Sequence, residues 1–426
     1  MRNDYPLEPN GFAGLGLAPA LHSVLAKLNF TTPTPIQVKS IPTAIAGQDV
    51  MGIAQTGTGK TLAFGLPMIQ RLNQIQGRGL ILLPTRELAL QVDESLRLIG
   101  ASLGLKTAVL IGGANMEQQV RALRRNPNII IATPGRLNDH LKQKNVRLDD
   151  VKIVVLDEAD RMLDMGFEPQ IKTIFQAVST ERQTLLYSAT MPAAIFNLAK
   201  KYMRLPVQIE VAPTGTTVEK VTQEIFIIQQ HEKLSLTKKI LEQYKGSVLI
   251  FTRTKHGAKK LKMAIQAFGF TAGEIHSNRS LNQRKEALQA FKIGRTRVLI
   301  ATDIASRGID VAGIELVLNY DLPDNSEDYV HRIGRTARAG ALGHAISFAT
   351  PNQRRDLRDI ERLVKKIIPI SKTPELPVIP QSLVARDHGE PRRGRTFGTK
   401  RPDPSAHFNY PKRRPSRPTH SYGKNR

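Results

Sequence analysis

The strongest constraint on this chain is a pattern repeated along most of its length. Short apolar runs rich in Val, Ile and Leu alternate with segments of helical periodicity. In the first half the runs are Asp49–Ile53, Gly79–Leu83, Asn128–Ala132, Val151–Leu156 and Thr184–Tyr187; in the second they are Ser247–Phe251, Arg297–Ala301 and Glu315–Asn319. A strand that is apolar on both faces has to be covered on both, and strands joined through helices pair in parallel. The expectation is an α/β fold with two tandem doubly wound parallel-sheet domains.

The join between the halves falls at Ala212–Glu219, a small, polar stretch containing Pro and Gly. The first domain is then 1–211 and the second 220–370, both of ordinary domain size. After Ile370 the composition shifts. Residues 371–426 hold 13 Lys or Arg against 4 Asp or Glu, so this segment carries +9 of the chain's net +25. Pro, Gly, Arg and Ser dominate it without apolar periodicity, which predicts a disordered basic tail. So large an excess of positive charge points to a polyanionic partner, nucleic acid or an anionic surface, and ribosomal or chromatin proteins share that property. The chain has no cysteine, which excludes a disulfide framework and a Cys-ligated zinc site. The N-terminus lacks the apolar core of a signal peptide, and no apolar run approaches the roughly 18 residues of a membrane span. The expectation is a soluble cytoplasmic protein that makes no use of a membrane.

Ala54-Gln-Thr-Gly-Thr-Gly-Lys-Thr61 follows the run Asp49–Ile53 and opens a helical pattern, the strand–loop–helix setting of a phosphate-binding loop. Gln55, Thr56, Gly57, Thr58 and Gly59 form the loop, and the glycines let its N–H groups turn toward a phosphate chain. Lys60 can neutralise the outer phosphates and the Thr61 hydroxyl can ligate Mg²⁺. About 100 residues on, by the usual crevice rule of open α/β sheets, Asp157-Glu-Ala-Asp160 stands at the carboxyl end of the run Val151–Leu156. Asp157 suits Mg²⁺ and Glu158 suits orienting an attacking water; taken alone, these acids also read as the cap of a following helix. In His331-Arg-Ile-Gly-Arg-Thr-Ala-Arg338, arginines recur every third residue. That spacing fits charge neutralisation during phosphoryl transfer, and equally a solvated basic face.

Together these segments resemble the DEAD-box RNA helicases, whose name is the tetrad Asp157–Asp160. The resemblance spans about Phe12 to Pro369, with the matches in one order along the chain. They include Asn29-Phe-Thr-Thr-Pro-Thr-Pro-Ile-Gln37, Pro84-Thr-Arg-Glu-Leu-Ala89, Gly112-Gly113, Thr133-Pro-Gly-Arg136 and Ser188-Ala-Thr190. In the second half they are Ile250-Phe-Thr-Arg-Thr254, Ala301-Thr-Asp-Ile-Ala-Ser-Arg-Gly-Ile-Asp310 and His331–Arg338. Within the family, the short core and basic tail are most similar to the bacterial RhlE-type subgroup.

The resemblance implies two RecA-like lobes with ATP and Mg²⁺ in the cleft between them. Phe30 and Gln37 match the segment that holds adenine, and Phe12 matches the upstream aromatic that supports it. Asp303, Arg307 and Asp310 match residues that help seat the nucleotide from across the cleft. Arg335 and Arg338 match the arginine fingers, and Ser188 and Thr190 a segment that couples hydrolysis to strand separation. Thr85, Arg86, Gly112, Gly113, Thr133, Pro134, Gly135 and Arg136 match RNA contacts of the first lobe, and Arg253, Thr254, Arg284 and Thr302 those of the second. Hydroxyls, glycine N–H groups and guanidinium suit phosphate oxygens, and no run of stacking aromatics accompanies them, so little sequence preference is expected. Two positions depart from the family: Asn29 replaces a common Gly, and Leu281 replaces a common Gln three residues before Arg284.

The implied activity is ATP-dependent local separation of short RNA duplexes by a monomer acting on single-stranded RNA. An ATP-gated RNA clamp, a basic RNA chaperone without enzymatic activity and a DNA helicase are the rival readings. Ribosome-assembly or RNA-decay proteins are candidate protein partners. The tail yields a test. Deleting 371–426 should weaken RNA binding at low salt and flatten the dependence of log affinity on log salt, by about 0.7 for each lost phosphate contact on a single strand. ATP hydrolysis at saturating RNA should survive. An unchanged salt slope would show that the tail does not bind RNA.

Overall fold

The apolar runs become the centres of two sheets. A computed structural model describes residues 11–55, 57–211, 221–303, 311, 313–337 and 343–377, apart from the side chain of residue 327. In the first sheet β1 (Val50–Ile53), β2 (Arg78–Leu82), β3 (Thr107–Leu110), β4 (Ile129–Ala132), β5 (Val151–Leu156), β6 (Gln183–Ser188) and β7 (Val207–Glu210) stand in the order β3-β4-β2-β5-β6-β1-β7. In the second, β8 (Val221–Ile227), β9 (Ser247–Phe251), β10 (Ala272–Ile275), β11 (Val298–Ala301), β12 (Ile314–Asn319) and β13 (Gly343–Ala349) stand in the order β10-β11-β9-β12-β13-β8. Every pairing among these strands is parallel. The expected α/β class with two tandem parallel sheets is therefore observed.

Both faces are dry for the predicted reason. Along the central strands of the first sheet, Leu80, Leu82, Ile130, Ala132, Val154 and Leu156 enter one core, and Ile81, Ile129, Ile131, Ile153 and Val155 the other. Helices Lys60–Leu72 and Arg86–Gly100 close the second of these through Phe64, Leu66, Val92 and Leu96. Helices Glu168–Ala177 and Ala193–Tyr202 close the first through Ile171, Ile174, Ile195 and Leu198. The second sheet repeats the arrangement, with Val248, Ile250, Val298 and Ile300 on one side and Leu249, Phe251, Leu299 and Ala301 on the other. Each such side chain contributes about 1.5–3 kcal/mol on leaving water.

Packing is close where the first strand meets β6. Gly52 stands opposite Tyr187 in the register, and a Cβ on Gly52 would lie 2.6 Å from the tyrosine ring. Beside it, the buried Asp49 carboxylate accepts the Thr184 N–H at 2.7 Å and the Arg204 N–H at 2.7 Å. One side chain thus fixes the starts of β1 and β6 and the approach to β7.

Both sheets fall within one unit, Met1–Val384. The expected linker 212–219, and residues 378–426 of the expected tail, lie outside the described residues. Residues 371–377, which composition assigns to the tail, run beside β8. The Ile225 N–H bonds Pro369 at 2.9 Å, Ser371 N–H bonds Ile225 at 2.8 Å, and Lys239 Nζ bonds the Glu375 carbonyl at 2.8 Å.

Asp49 carries the stability test. Removing its carboxylate leaves two buried N–H groups unpaired, and hydrogen bonds to a charged group are worth about 1.5–3 kcal/mol. Asp49→Ala should lower the thermal unfolding midpoint of the first lobe by several degrees, at about 2–4 °C per kcal/mol for a domain of this size. A midpoint equal to wild type by circular dichroism would show that Asp49 does not lock the strand ends.

Candidate active site

Parallel pairing sends the carboxyl ends of neighbouring strands to one edge. Because β6 lies between β5 and β1, the loop after β1, the tetrad after β5 and Ser188 at the end of β6 become neighbours. Gly59 caps helix Lys60–Leu72 in a left-handed conformation at φ 87°. A side chain there would also run into the Gln37 amide. Thr58 Oγ1 donates to the Gln55 carbonyl at 2.7 Å, closing the loop. The helix begins with no side-chain cap, so its first N–H groups are left for an anion. Lys60 is buried, its Nζ 3.8 Å from Asp157 and without a hydrogen-bond partner among the described residues. A buried ammonium of this kind is what a phosphate chain would complete, so the residues present fit ATP. Thr61 lies in the same first turn; Thr56 lies outside the described residues.

The tetrad is buried whole. Asp157 accepts the Glu158 N–H at 2.9 Å. Burial pushes its carboxyl up to about 6, against the pull of Lys60. Glu158 sits at φ 53°, ψ 50°, a left-handed conformation uncommon outside glycine. Asp160 turns to β6. Its Oδ2 accepts the Ala189 N–H at 3.0 Å, the Thr190 N–H at 3.0 Å and the Thr190 hydroxyl at 3.1 Å. Its own N–H donates to Ser188 Oγ at 3.3 Å. The two sequence motifs thus form one hydrogen-bonded unit.

Gln37 ends the expected adenine segment. Its Oε1 accepts the Thr34 N–H at 2.9 Å and its Nε2 donates to the Gly59 carbonyl at 3.0 Å, which ties that segment to the phosphate loop. The Phe30 ring is exposed, as a stacking surface must be, whereas Phe12 is buried in the first core. The neighbouring Gly11 lies so near the Thr31 carbonyl that a Cβ would be 2.6 Å from it, so the chain beside Phe12 packs closely on the chain just after Phe30. Asn29 adopts φ 59°, as its side chain allows.

The expected RNA residues collect at the other end of the same edge, where β3, β4 and β2 are neighbours. Thr85 caps helix Arg86–Gly100 by accepting the Leu88 N–H at 3.3 Å. Arg86 lies across Gly112 and Gly113, where a Cβ would strike its guanidinium. Thr133 precedes helix Pro134–Lys142, which carries Gly135 and Arg136, and Arg136 bonds the Ala114 carbonyl at 3.2 Å. Two helices, Arg86–Gly100 and Pro134–Lys142, therefore begin here.

In the second sheet β10, β11 and β9 are neighbours and bring Arg284, Thr302, Arg253 and Thr254 together. Thr254 caps helix Lys255–Ala267, Arg253 pairs with Asp324 at 3.0 Å, and the Thr302 N–H bonds Ile275 at 3.3 Å. Arg284 pairs with Glu87 of the first sheet's domain at 3.0 Å. Burial raises the Glu87 carboxyl, and Arg284 opposes that rise. Leu281, one turn before Arg284, packs against the first domain's core, so an apolar contact stands where the family commonly has an amide.

His331 and Arg335 follow β12 on and beyond helix Ser326–Ile333. Burial pushes the His331 imidazole down to about 3, followed by the charge of Arg161, while Asp160 draws it up. His331 thus lies within the electrostatic field of the tetrad. Asp303 is held in the second domain by Arg332, at 2.6 and 2.7 Å. Arg332 also bonds Asn319 at 3.2 Å and the Asp321 carbonyl at 2.6 Å. Arg307, Asp310 and Arg338 lie outside the described residues. Three partnerships escaped the sequence reading: Arg332 with Asp303, Glu87 with Arg284, and Arg161 with Glu158 at 3.2 Å. The last had a faint signal, an arginine three residues after a buried acid.

Comparison with known proteins agrees with this geometry. The family model described as DEAD/DEAH box helicase matches residues 34–198, and that described as helicase conserved C-terminal domain matches 232–340. The chain is 41% identical over 368 residues to the DEAD-box ATP-dependent RNA helicase CshA of Bacillus subtilis, covering 86% of this chain and 74% of that one. It is 40% identical over 367 residues to RhpA of Helicobacter pylori, covering 86% and 75%. Among solved structures, S. cerevisiae Dbp5 bound to RNA and ADP BeF3 superposes with a TM-score of 0.76 at 30% identity, covering 86% of this chain and 96% of that one. No helix among the described residues is long and apolar enough to cross a membrane. With two RecA-like sheets, a phosphate loop packed on its tetrad and relatives of this identity over most of its length, the chain belongs to the DEAD-box ATP-dependent RNA helicases.

Proposed function

We propose that the protein binds single-stranded RNA with little sequence preference and separates short duplexes locally, using lobes 1–211 and 220–370 joined at 212–219. The observation that carries this reading is the shared strand-end edge. Lys60, Asp157, Glu158 and the Ser188–Thr190 segment meet at β5-β6-β1, and the backbone-binding set Thr85, Arg86, Gly112, Gly113 and Thr133–Arg136 meets at β3-β4-β2. ATP and RNA thus act on opposite ends of one rigid sheet. The carboxylate of Asp157 and the hydroxyl of Thr61 would hold Mg²⁺, which neutralises charge on the phosphates. Lys60 binds the outer phosphates, Glu158 orients the attacking water, and Arg335 and Arg338 stabilise the charge that develops as the bond breaks. Gln37 links adenine recognition to the phosphate loop, so a wrong base disturbs the loop as well as the base contact.

Closure of the lobes around both ligands bends one strand, which a regular duplex cannot follow. ATP then acts as a switch on RNA affinity, and RNA must act equally on ATP affinity. The short core and basic tail favour the RhlE-type subgroup, although the relatives above carry the names CshA and RhpA. We also place the protein in the cytoplasm, acting as a monomer. A strand-displacement assay run beside an ATPase assay separates the helicase from an RNA clamp.

The chemistry gives two tests. Lys60→Ala should weaken ATP binding, while Glu158→Gln should keep ATP and RNA bound yet stall hydrolysis; normal RNA-stimulated turnover in Glu158→Gln would end the assignment. Arg335→Ala should retain ATP on the first lobe and lose most of the RNA-stimulated rate, since an arginine finger is worth about 10³–10⁵. A stimulated rate within a few-fold of wild type would make Arg335 part of a structural face.

A further inference from the structure

Arg161 directly follows the tetrad and has no part in the chemistry derived so far. Its side chain is 3% exposed, and its Nη1 lies 3.2 Å from Glu158 Oε2, itself on a side chain 4% exposed. Among the described residues, neither Nη1 nor Nη2 makes a hydrogen bond. A buried guanidinium usually has its N–H groups satisfied, as Arg332 does with Asp303, Asn319 and the Asp321 carbonyl. Arg161 is built differently: its ion pair is its close polar contact, and two donors remain available. Its charge also reaches His331 of the second domain, whose protonation Arg161 disfavours. Glu158 caps helix Ala159–Asp164 in a left-handed conformation, and its carboxylate pairs with Arg161 one turn along the chain.

We propose that Arg161 is a positioning residue for ATP hydrolysis. It holds the Glu158 carboxylate in the direction that orients the attacking water, and its unpaired donors let it follow the arrival of the His331 segment when the lobes close. This rests on the reading of Glu158 given above. It differs from the role of Lys60, which touches phosphate, and from that of the arginine fingers, which come from the other lobe. No bond to Arg161 forms or breaks, and the guanidinium remains protonated throughout.

The test is steady-state ATPase kinetics of the full chain at saturating RNA. A misplacement of about 1 Å at a reacting group can cost about 10²-fold. Arg161→Gln should therefore lower kcat by roughly 10–100-fold while leaving the KM for ATP within about twofold, the scale seen when an orienting partner is lost. Arg161→Lys keeps the charge without the planar fork and should recover part of kcat. Binding of AMP-PNP and RNA should persist in both variants, which shows that they are folded. Adding Arg161→Gln to Glu158→Gln should slow the residual rate no further, because the arginine acts through that carboxylate.

The inference is overturned by a wild-type kcat in Arg161→Gln or by a KM that rises as much as kcat falls. A lysine variant no better than glutamine, an additive loss in the double variant, or loss of AMP-PNP binding in both single variants would overturn it equally. If Glu158→Gln itself turns over normally, the assignment of Glu158 fails. If Glu158→Gln is inactive while Arg161→Gln is normal, only this inference fails.

Discussion

Parallel pairing of β5, β6 and β1 is the constraint on which the rest of the molecule depends. Parallel strands begin at one edge of a sheet and end at the other, so neighbours in the sheet deliver their last residues to the same place. The register sets Ile53 beside Ser188 and Leu156 beside Leu186. The phosphate loop, the tetrad and the Ser188–Thr190 segment thus converge although they are far apart in sequence. A one-residue slip would reverse every side chain in the strand. The dry faces forbid it, because Val154 and Val155 would exchange cores. Asp49 secures the same register from the opposite edge, and the close approach of Gly52 to Tyr187 secures it beside the strand ends.

The convergence concentrates negative charge in a place without water. Asp157, Glu158 and Asp160 are all buried, and each is answered in a different way. Asp157 has the Lys60 ammonium, Glu158 has Arg161, and Asp160 has three backbone N–H groups and a hydroxyl. Burying an ion without such compensation costs several kcal/mol. Burial raises the Asp157 carboxyl against the pull of Lys60. In the function proposed above, a divalent cation would complete that compensation.

Among the described residues the contacts between the two domains are of unlike kind. Glu87 and Arg284 form an ion pair, Leu281 supplies apolar contact, and His331 lies within the field of the tetrad. The first two stand on the side of the residues expected to meet RNA and the third on the side of the phosphate loop. Any motion of one domain against the other changes both sides at once, which is the physical form that coupling between two ligands requires.

Central strands were legible in the sequence because a strand covered on both faces has to be apolar at every position. Val151–Leu156 and Ser247–Phe251 were read with the bounds that the structure has. The strands β3, β7, β8, β10 and β13 were not read. In β3 only alternate residues are buried, in β7 only Ile209 is, and β13 carries His344 and Ser347 among its apolar residues, so no continuous run marks them. The loop and tetrad were legible because phosphate and water chemistry need particular residue types at short spacing. Their partners were not, since an ion pair such as Glu87 with Arg284 leaves no mark on either local pattern. By itself the sequence determined the central strands, the turn chemistry and the residues able to meet a phosphate or a metal. Only the tertiary structure decided which strand ends became neighbours and which charge answers which, because desolvation makes a buried charge depend on whatever the fold sets within a few ångströms of it.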